Sequence, residues 1–199
     1  MKCLSNRRLA CSLGLGLMTA VLAAASAQAS VNTAECRAQE FSQAFSYAKD
    51  TNWYTPIAGD SSNSFNGEGW TLSGGAKILT TTLSDGSVGK VLDLPSGSQA
   101  VSPVTCVTSD FPTARGVVRN VKGSEGVFFY VEYEGTNTWG HGKNTGQIHG
   151  SQTAWTLVTP VNMQPEHSLG WQPMRITLVP GGKTSEFQVY DLFIDPRMR

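Results

Sequence analysis

The chain has 199 residues, and its 15 basic and 15 acidic side chains cancel to a formal net charge of zero. Charged residues make up only 15% and glycine numbers 21, which excludes a coiled coil, a charged disordered tail and a polycation built for nucleic acid. What is left is a β-rich domain with many turns, preceded by an export signal.

The signal comes first. Lys2, Arg7 and Arg8 form a positive start, residues 9–25 are apolar and uncharged, and Ala27-Gln28-Ala29 is a small-x-small cleavage site. Residues 1–29 therefore read as a cleaved signal peptide, with the mature chain starting near Ser30. A membrane anchor is the competing reading, but the run falls short of the ~20 apolar residues a span needs. Arg7-Arg8 leaves general and twin-arginine export both open. Cys11 lies too early in the apolar run for a lipid-modified cysteine.

Cleavage leaves 12 basic residues (15 less three) against 15 acidic, with Cys36 and Cys106 as the remaining cysteines. Two cysteines in an exported chain read as one disulfide. It would close a loop of about 70 residues, worth on the order of 4 kcal/mol in the chain-entropy model. A catalytic thiol is the rival reading. The expected location is secreted or cell-envelope. The chain is expected to be a monomer with no cofactor, no nucleic-acid partner and no membrane span after cleavage.

In chain order, residues 33–49 carry a helical spacing: Ala34, Ala38, Phe41, Phe45 and Ala48 recur at threes and fours. Ser30, Asn32 and Thr33 offer caps. Residues 50–66 read as a polar connection, so 30–66 is expected to be a helix and loop stapled to a sandwich over 67–199. Residues 70–83 are β-rich but broken at Ser73-Gly74-Gly75. Asp85-Gly86 signals a hairpin into 89–94. Strands are then expected over 98–107, 115–122, 127–134, 147–158, 174–179 and 187–194, separated by turn clusters such as Pro95-Ser96-Gly97 and Pro180-Gly181-Gly182. That pattern predicts an all-β sandwich or barrel.

Two resemblances sharpen it. Asn66-Gly67-Glu68-Gly69-Trp70 with Ser73-Gly74-Gly75-Ala76, and Tyr190-Asp191-Leu192-Phe193-Ile194-Asp195, resemble the opening and closing strands of a galactose-binding-like jelly roll, as in many carbohydrate-binding modules. More narrowly, the chain from 36 to 196 resembles an uncharacterised family of secreted actinobacterial proteins. The matching pieces are Ser42-x-x-Phe45, Asp50-x-x-x-Tyr54, residues 69–76, Ser102-Pro103 with Cys106, Pro112-x-x-Arg115, Arg119-Asn120 and Asp195-Pro196. The resemblance implies a jelly-roll sandwich and a binding role more often than catalysis. Tyr190 stands where the closing strand of that fold often has the first of two acids, which counts against a structural calcium at Asp191.

Candidate sites follow from the period-two runs. In 127–134, Val127, Phe129, Val131 and Tyr133 share one face, while Phe128, Tyr130, Glu132 and Glu134 share the other. On the preceding strand Arg115, Val117 and Arg119 share a face, so an arginine is expected beside these acids. Aromatic rings stack on sugar C–H faces, and planar carboxylate and guanidinium groups bond adjacent hydroxyls. Arg119, Tyr130 and Glu132, with Trp139 at the rim, are therefore the candidate carbohydrate site, for a glycan or cell-wall polysaccharide. A solvated sheet face with cross-strand ion pairs explains the same residues.

Three alternatives stand beside it. Glu132 and Glu134 could be a glycosidase pair. Gln147-Ile148-His149 resembles the Gln-x-His motif of jelly-roll alginate lyases, which would make Gln147 and His149 catalytic, but that family's companion strands are missing. A structural or adhesion domain without a small ligand needs none of these groups. His141, His149 and His167 match no zinc spacing. Trp70 is expected in the core, and Trp53, Trp139, Trp155 and Trp171 in or near loops.

Overall fold

The computed structural model describes residues 40–61, 64–107, 113–133, 143–152, 154–163 and 172–195. The strands are β1 Thr55–Pro56, β2 Asp60–Ser61, β3 Ser64–Phe65, β4 Thr71–Ser73, β5 Lys77–Thr82, β6 Val88–Pro95, β7 Gln99–Val101 and β8 Thr105–Val107. They continue with β9 Thr113–Lys122, β10 Val127–Tyr133, β11 Lys143–Ile148, β12 Thr156–Leu157, β13 Val161–Asn162, β14 Gln172–Pro180 and β15 Glu186–Asp195.

These strands form a jelly-roll β-sandwich. One sheet runs β12-β9-β15-β6-β5, with β1 added on β15 and β13 on β9; the other runs β11-β10-β14-β7-β4, with β8 added on β14. A small β2–β3 ladder stands apart. Adjacent long strands in sequence repeatedly fall in opposite sheets, as β6 and β7, β9 and β10, and β14 and β15 do. The two sheets are called A (with β9) and B (with β10) below.

The predicted alternation of β10 holds. Val127, Phe129, Val131 and Tyr133 are buried, while Phe128, Tyr130 and Glu132 are only partly covered. From sheet A, Leu92, Val189 and Val118 stand side by side in register and are fully buried. They face sheet B: Val161, on their side of the sheet beside Ala114, lies 3.4 Å from the Cβ position of Gly146 on β11. Each large apolar side chain removed from water here contributes ~1.5–3 kcal/mol.

The predicted turns are in place. Gly86, at φ +84, lets the β5–β6 hairpin close between Leu83 and Ser87. Residues 70–83 split into β4 and β5 around Gly74 and Gly75 as the glycines require. The expected strand over 147–158 is instead the end of β11 and the separate β12, and these lie in opposite sheets.

The helix expected over 33–49 is not formed as an α-helix in its described part. Over the described part, 40–49, there is only a 3-10 turn at Ser46–Ala48, closed by Lys49 in the left-handed conformation. Ser42 pairs with Tyr54 across an antiparallel bridge, and Phe41 is 45% exposed. The apolar spacing does not mark one buried stripe. Of its described members, Phe41, Phe45 and Ala48, Phe45 goes under, edge-on to Tyr54 at 4.8 Å and to Phe193 at 5.5 Å. Residues 33–39 lie outside the described residues. Cys106 is buried on β8 and is not a free thiol; Cys36 lies outside the described residues. Among the described residues no helix is long and apolar enough to cross a membrane.

Candidate binding site

Sheet A presents an outer face built by alternation on four strands. The register sets Arg119 of β9 opposite Gln188 of β15, Gln188 opposite Asp93 of β6, and Asp93 opposite Lys77 of β5. Because these residues are paired in register, all four side chains stand on the same side. That side is the outer one, since Leu92, Val118 and Val189 occupy the other.

The row is joined by hydrogen bonds. Arg119 Nη2 donates to Gln188 Oε1 in a short contact and to Thr81 Oγ1 at 3.3 Å. Gln188 Nε2 donates to Asp93 Oδ1 at 3.1 Å, and Lys77 Nζ stands 3.7 Å from Asp93 Oδ2. Asp93 and Gln188 are almost fully buried, whereas the Lys77 side chain is 59% exposed. The Trp155 ring lies 4.4 Å from the Arg119 guanidinium carbon. The same indole meets Tyr190 edge-on at 4.8 Å and donates its N–H to the Thr82 carbonyl at 3.0 Å.

These contacts measure the shape of the face. Arg119 and Thr81 are separated by three strand steps across the sheet, roughly 14 Å, and by four residues along it, roughly 13 Å more. A flat sheet could not let one arginine bridge that diagonal. Strand twist brings the two corners toward each other, so the outer face of sheet A is concave along the line from β9 to β5. Trp155 and Arg119 lie in that concavity, over Val117, Tyr190 and Val91, which are buried on the outer side.

The electrostatics are uneven. Arg119 makes no ion pair among the described residues, and its Nε is buried without a hydrogen-bond partner. Burial raises the pKa of the Tyr190 hydroxyl, and its hydrogen bonds with Ser84 offset part of that rise. The set offers a planar cationic donor, a neutral amide, a buried carboxylate, a flexible ammonium and an indole. Such groups hold a polyhydroxylated or charged ligand by hydrogen bonds and ring contact.

The structure separates the residues that alternation alone had grouped. Arg119 lies in sheet A, but Tyr130 and Glu132 lie in sheet B with their side chains on its outer face. Arg119 therefore cannot neutralise Glu132; the residue opposite Glu132 is Arg175 of β14. Sequence neighbours β9 and β10 do not pair because the connection between them crosses from one sheet to the other. Trp139 and Glu134 lie outside the described residues, as do His141 and His167. Gln147 stands opposite Phe128 on edge strand β11, and exposed His149 follows that strand.

Asp191 is buried at φ +50 in a bulge of β15, beside buried Asp60. Both Asp60 oxygens are engaged, accepting from the backbone N–H groups of Leu192 and Ser61. Among the described residues no three His, Cys, Asp or Glu side chains come close enough to hold a metal.

No protein-family model and no curated protein matches the chain. Solved structures do resemble it. A family 6 carbohydrate-binding module from Clostridium cellulolyticum in complex with xylose has 15% identity and a TM-score of 0.42, over 61% of this chain and 88% of that one. The CBM22-1 xylan-binding domain from Paenibacillus barcinonensis Xyn10C has 13% identity and a TM-score of 0.43, over 66% and 88%. The CBM22-1 and GH10 modules of Clostridium thermocellum xylanase 10B with xylohexaose have 14% identity and a TM-score of 0.49, over 66% and 26%. The sandwich assigned here follows from strand pairing, not from these likenesses.

Proposed function

We propose that this chain is a secreted, non-catalytic glycan-binding module and that its site is the concave outer face of sheet A. The observation that carries the reading is the Arg119 guanidinium held against the Trp155 ring, with Gln188, Asp93 and Lys77 in one hydrogen-bonded row beside it. A saccharide presents alternating hydroxyl edges and C–H faces. A fixed fork of donors next to an indole fits both. The buried partners hold Arg119 in place before any ligand arrives, which lowers the ordering cost of binding.

The accompanying expectations remain part of the proposal: cleavage after Ala29, a Cys36–Cys106 disulfide and one globular unit over 30–199. A second face is worth testing against the first. On sheet B, Phe128 and Tyr130 lie 6.4 Å apart on the face that also carries Glu132, and Tyr130 and Glu132 are the sheet-B part of the site expected from alternation.

Affinity electrophoresis of the mature protein through gels containing soluble plant, algal or bacterial polysaccharides tests the reading. Retardation by at least one polysaccharide is expected, and Trp155→Ala and Gln188→Ala should abolish it while Tyr130→Ala leaves it. Loss with Tyr130→Ala alone would move the site to sheet B. No retardation by any polysaccharide would favour a structural or adhesion domain.

A further inference from the structure

We infer that the concave face of sheet A selects an acidic glycan, taking a uronate carboxylate on Arg119. This rests on the glycan-binding reading and adds the chemical class of the ligand.

The charge arrangement carries it. The row across the face holds two cations, Arg119 and Lys77, and one acid, Asp93, in register. Asp93 is committed: one oxygen accepts from Gln188 and the other faces Lys77. Arg119 has only neutral partners, the Gln188 carbonyl and the Thr81 hydroxyl, and both are reached by Nη2. The other acids near this face do not pair with Arg119. Asp85, in the turn beyond Tyr190, accepts from Ser87 N–H and Oγ at 2.9 and 2.6 Å. Glu186 shares this face two residues before Gln188, opposite Lys122 and Pro95, and makes no ion pair with Arg119. Asp50 pairs with Arg115, not Arg119.

A partly buried guanidinium without a counter-charge is costly in an empty site. A ligand carboxylate supplies the missing charge, and Nη1 is the donor that Gln188 and Thr81 leave open to it. A purely neutral glycan would leave the arginine charge as uncompensated as before. Lys77, mostly exposed at the other end of the row, is placed to add a second, weaker and more screened attraction.

The test compares polyuronates (alginate and polygalacturonate) with carboxyl-reduced samples of the same polymers and with neutral xylan. Binding is measured by affinity electrophoresis and titration calorimetry at low and high salt. The expected result is binding to at least one polyuronate, about tenfold or more weaker after carboxyl reduction or with Arg119→Gln, and weakened by salt. Lys77→Gln should weaken polyuronate binding severalfold at low salt; because Lys77 also faces the buried Asp93 carboxylate, a melt of the variant checks that it is folded. Equal binding to native and carboxyl-reduced polymer, or salt-independent binding to xylan alone, would overturn the acidic specificity and leave the glycan reading standing. Absence of binding to every polymer would remove both.

Discussion

Arg115 and Asp50, 65 residues apart, meet through Nη1 and Oδ2 at 2.6 Å. Tyr54 donates its hydroxyl to the same carboxylate oxygen, and Arg115 Nε donates to the Val158 carbonyl at 3.1 Å. The guanidinium also lies 5.6 Å from the Phe45 ring centre. One arginine on β9 thus holds the N-terminal segment against the outer side of sheet A. Residues quoted separately as sequence motifs, Phe45, Asp50, Tyr54 and Arg115, turn out to be one cluster.

That cluster predicts a stability effect with a pH signature. Arg115→Ala should cost ~1–3 kcal/mol in urea melts, through the lost pair and the unsatisfied partners left behind. Burial alone would raise the Asp50 pKa, but the bond from Tyr54, the backbone N–H of Asn52 and the Arg115 charge outweigh it and hold it below the usual range. A depressed native value means stability that is present above about pH 4 and is lost as pH falls through the native value. Asp50→Asn should therefore shrink the acid loss of stability. An unchanged acid limb would show the cluster is not coupled to folding.

Asp60 acts in the opposite direction. Burial, with negative charge from Asp191, lifts its pKa well above the usual carboxylate range, although Leu192 and Ser61 N–H groups lower it in part. The folded state then holds a proton more tightly than the unfolded state. Stability should decline as pH rises from about 4 through the raised native value. Asp60→Asn should flatten that decline from about pH 4 upward; melts of equal slope for both proteins would refute the assignment.

Trp70 is buried, donates its indole N–H to the Ala58 carbonyl at 2.7 Å and packs edge-on to Phe65 at 5.0 Å. Trp70→Ala should cost ~3–5 kcal/mol. A loss under about 1 kcal/mol would place the ring outside the cooperative core.

The Cys36–Cys106 bridge is checked by non-reducing mass spectrometry of the secreted protein, which should find no free thiol in the mature chain. Reduction should then lower the melting temperature, since the bridge constrains a loop of about 70 residues in the unfolded chain. Two alkylatable thiols would contradict the pairing.

The sequence by itself determined the long strands β6, β9, β10, β14 and β15, the turns that interrupt them and the inward face of β10. These are local properties: alternation in 127–133, or Asp85-Gly86 between two β-runs, needs no knowledge of distant chain. But it read 147–158 as one strand and 50–66 as a connection, where the structure has β11 and β12 in opposite sheets and the short β1, β2 and β3. It also singled out Arg119, because Arg115, Val117 and Arg119 alternate. It could not say that β9 and β10 lie in different sheets, since strand order depends on which non-local pairings bury the most surface. That choice alone took Arg119 away from Tyr130 and Glu132 and set it beside Gln188, Asp93 and Lys77, residues with no motif of their own. Trp155 was visible only as one of several loop tryptophans. Its place over Arg119 arises from the twist of a four-strand row, which no stretch of chain encodes alone. The absence of an α-helix over the described residues 40–49 has the same origin: Phe45 found Tyr54 and Phe193 as partners, and tertiary packing overrode a weak local spacing.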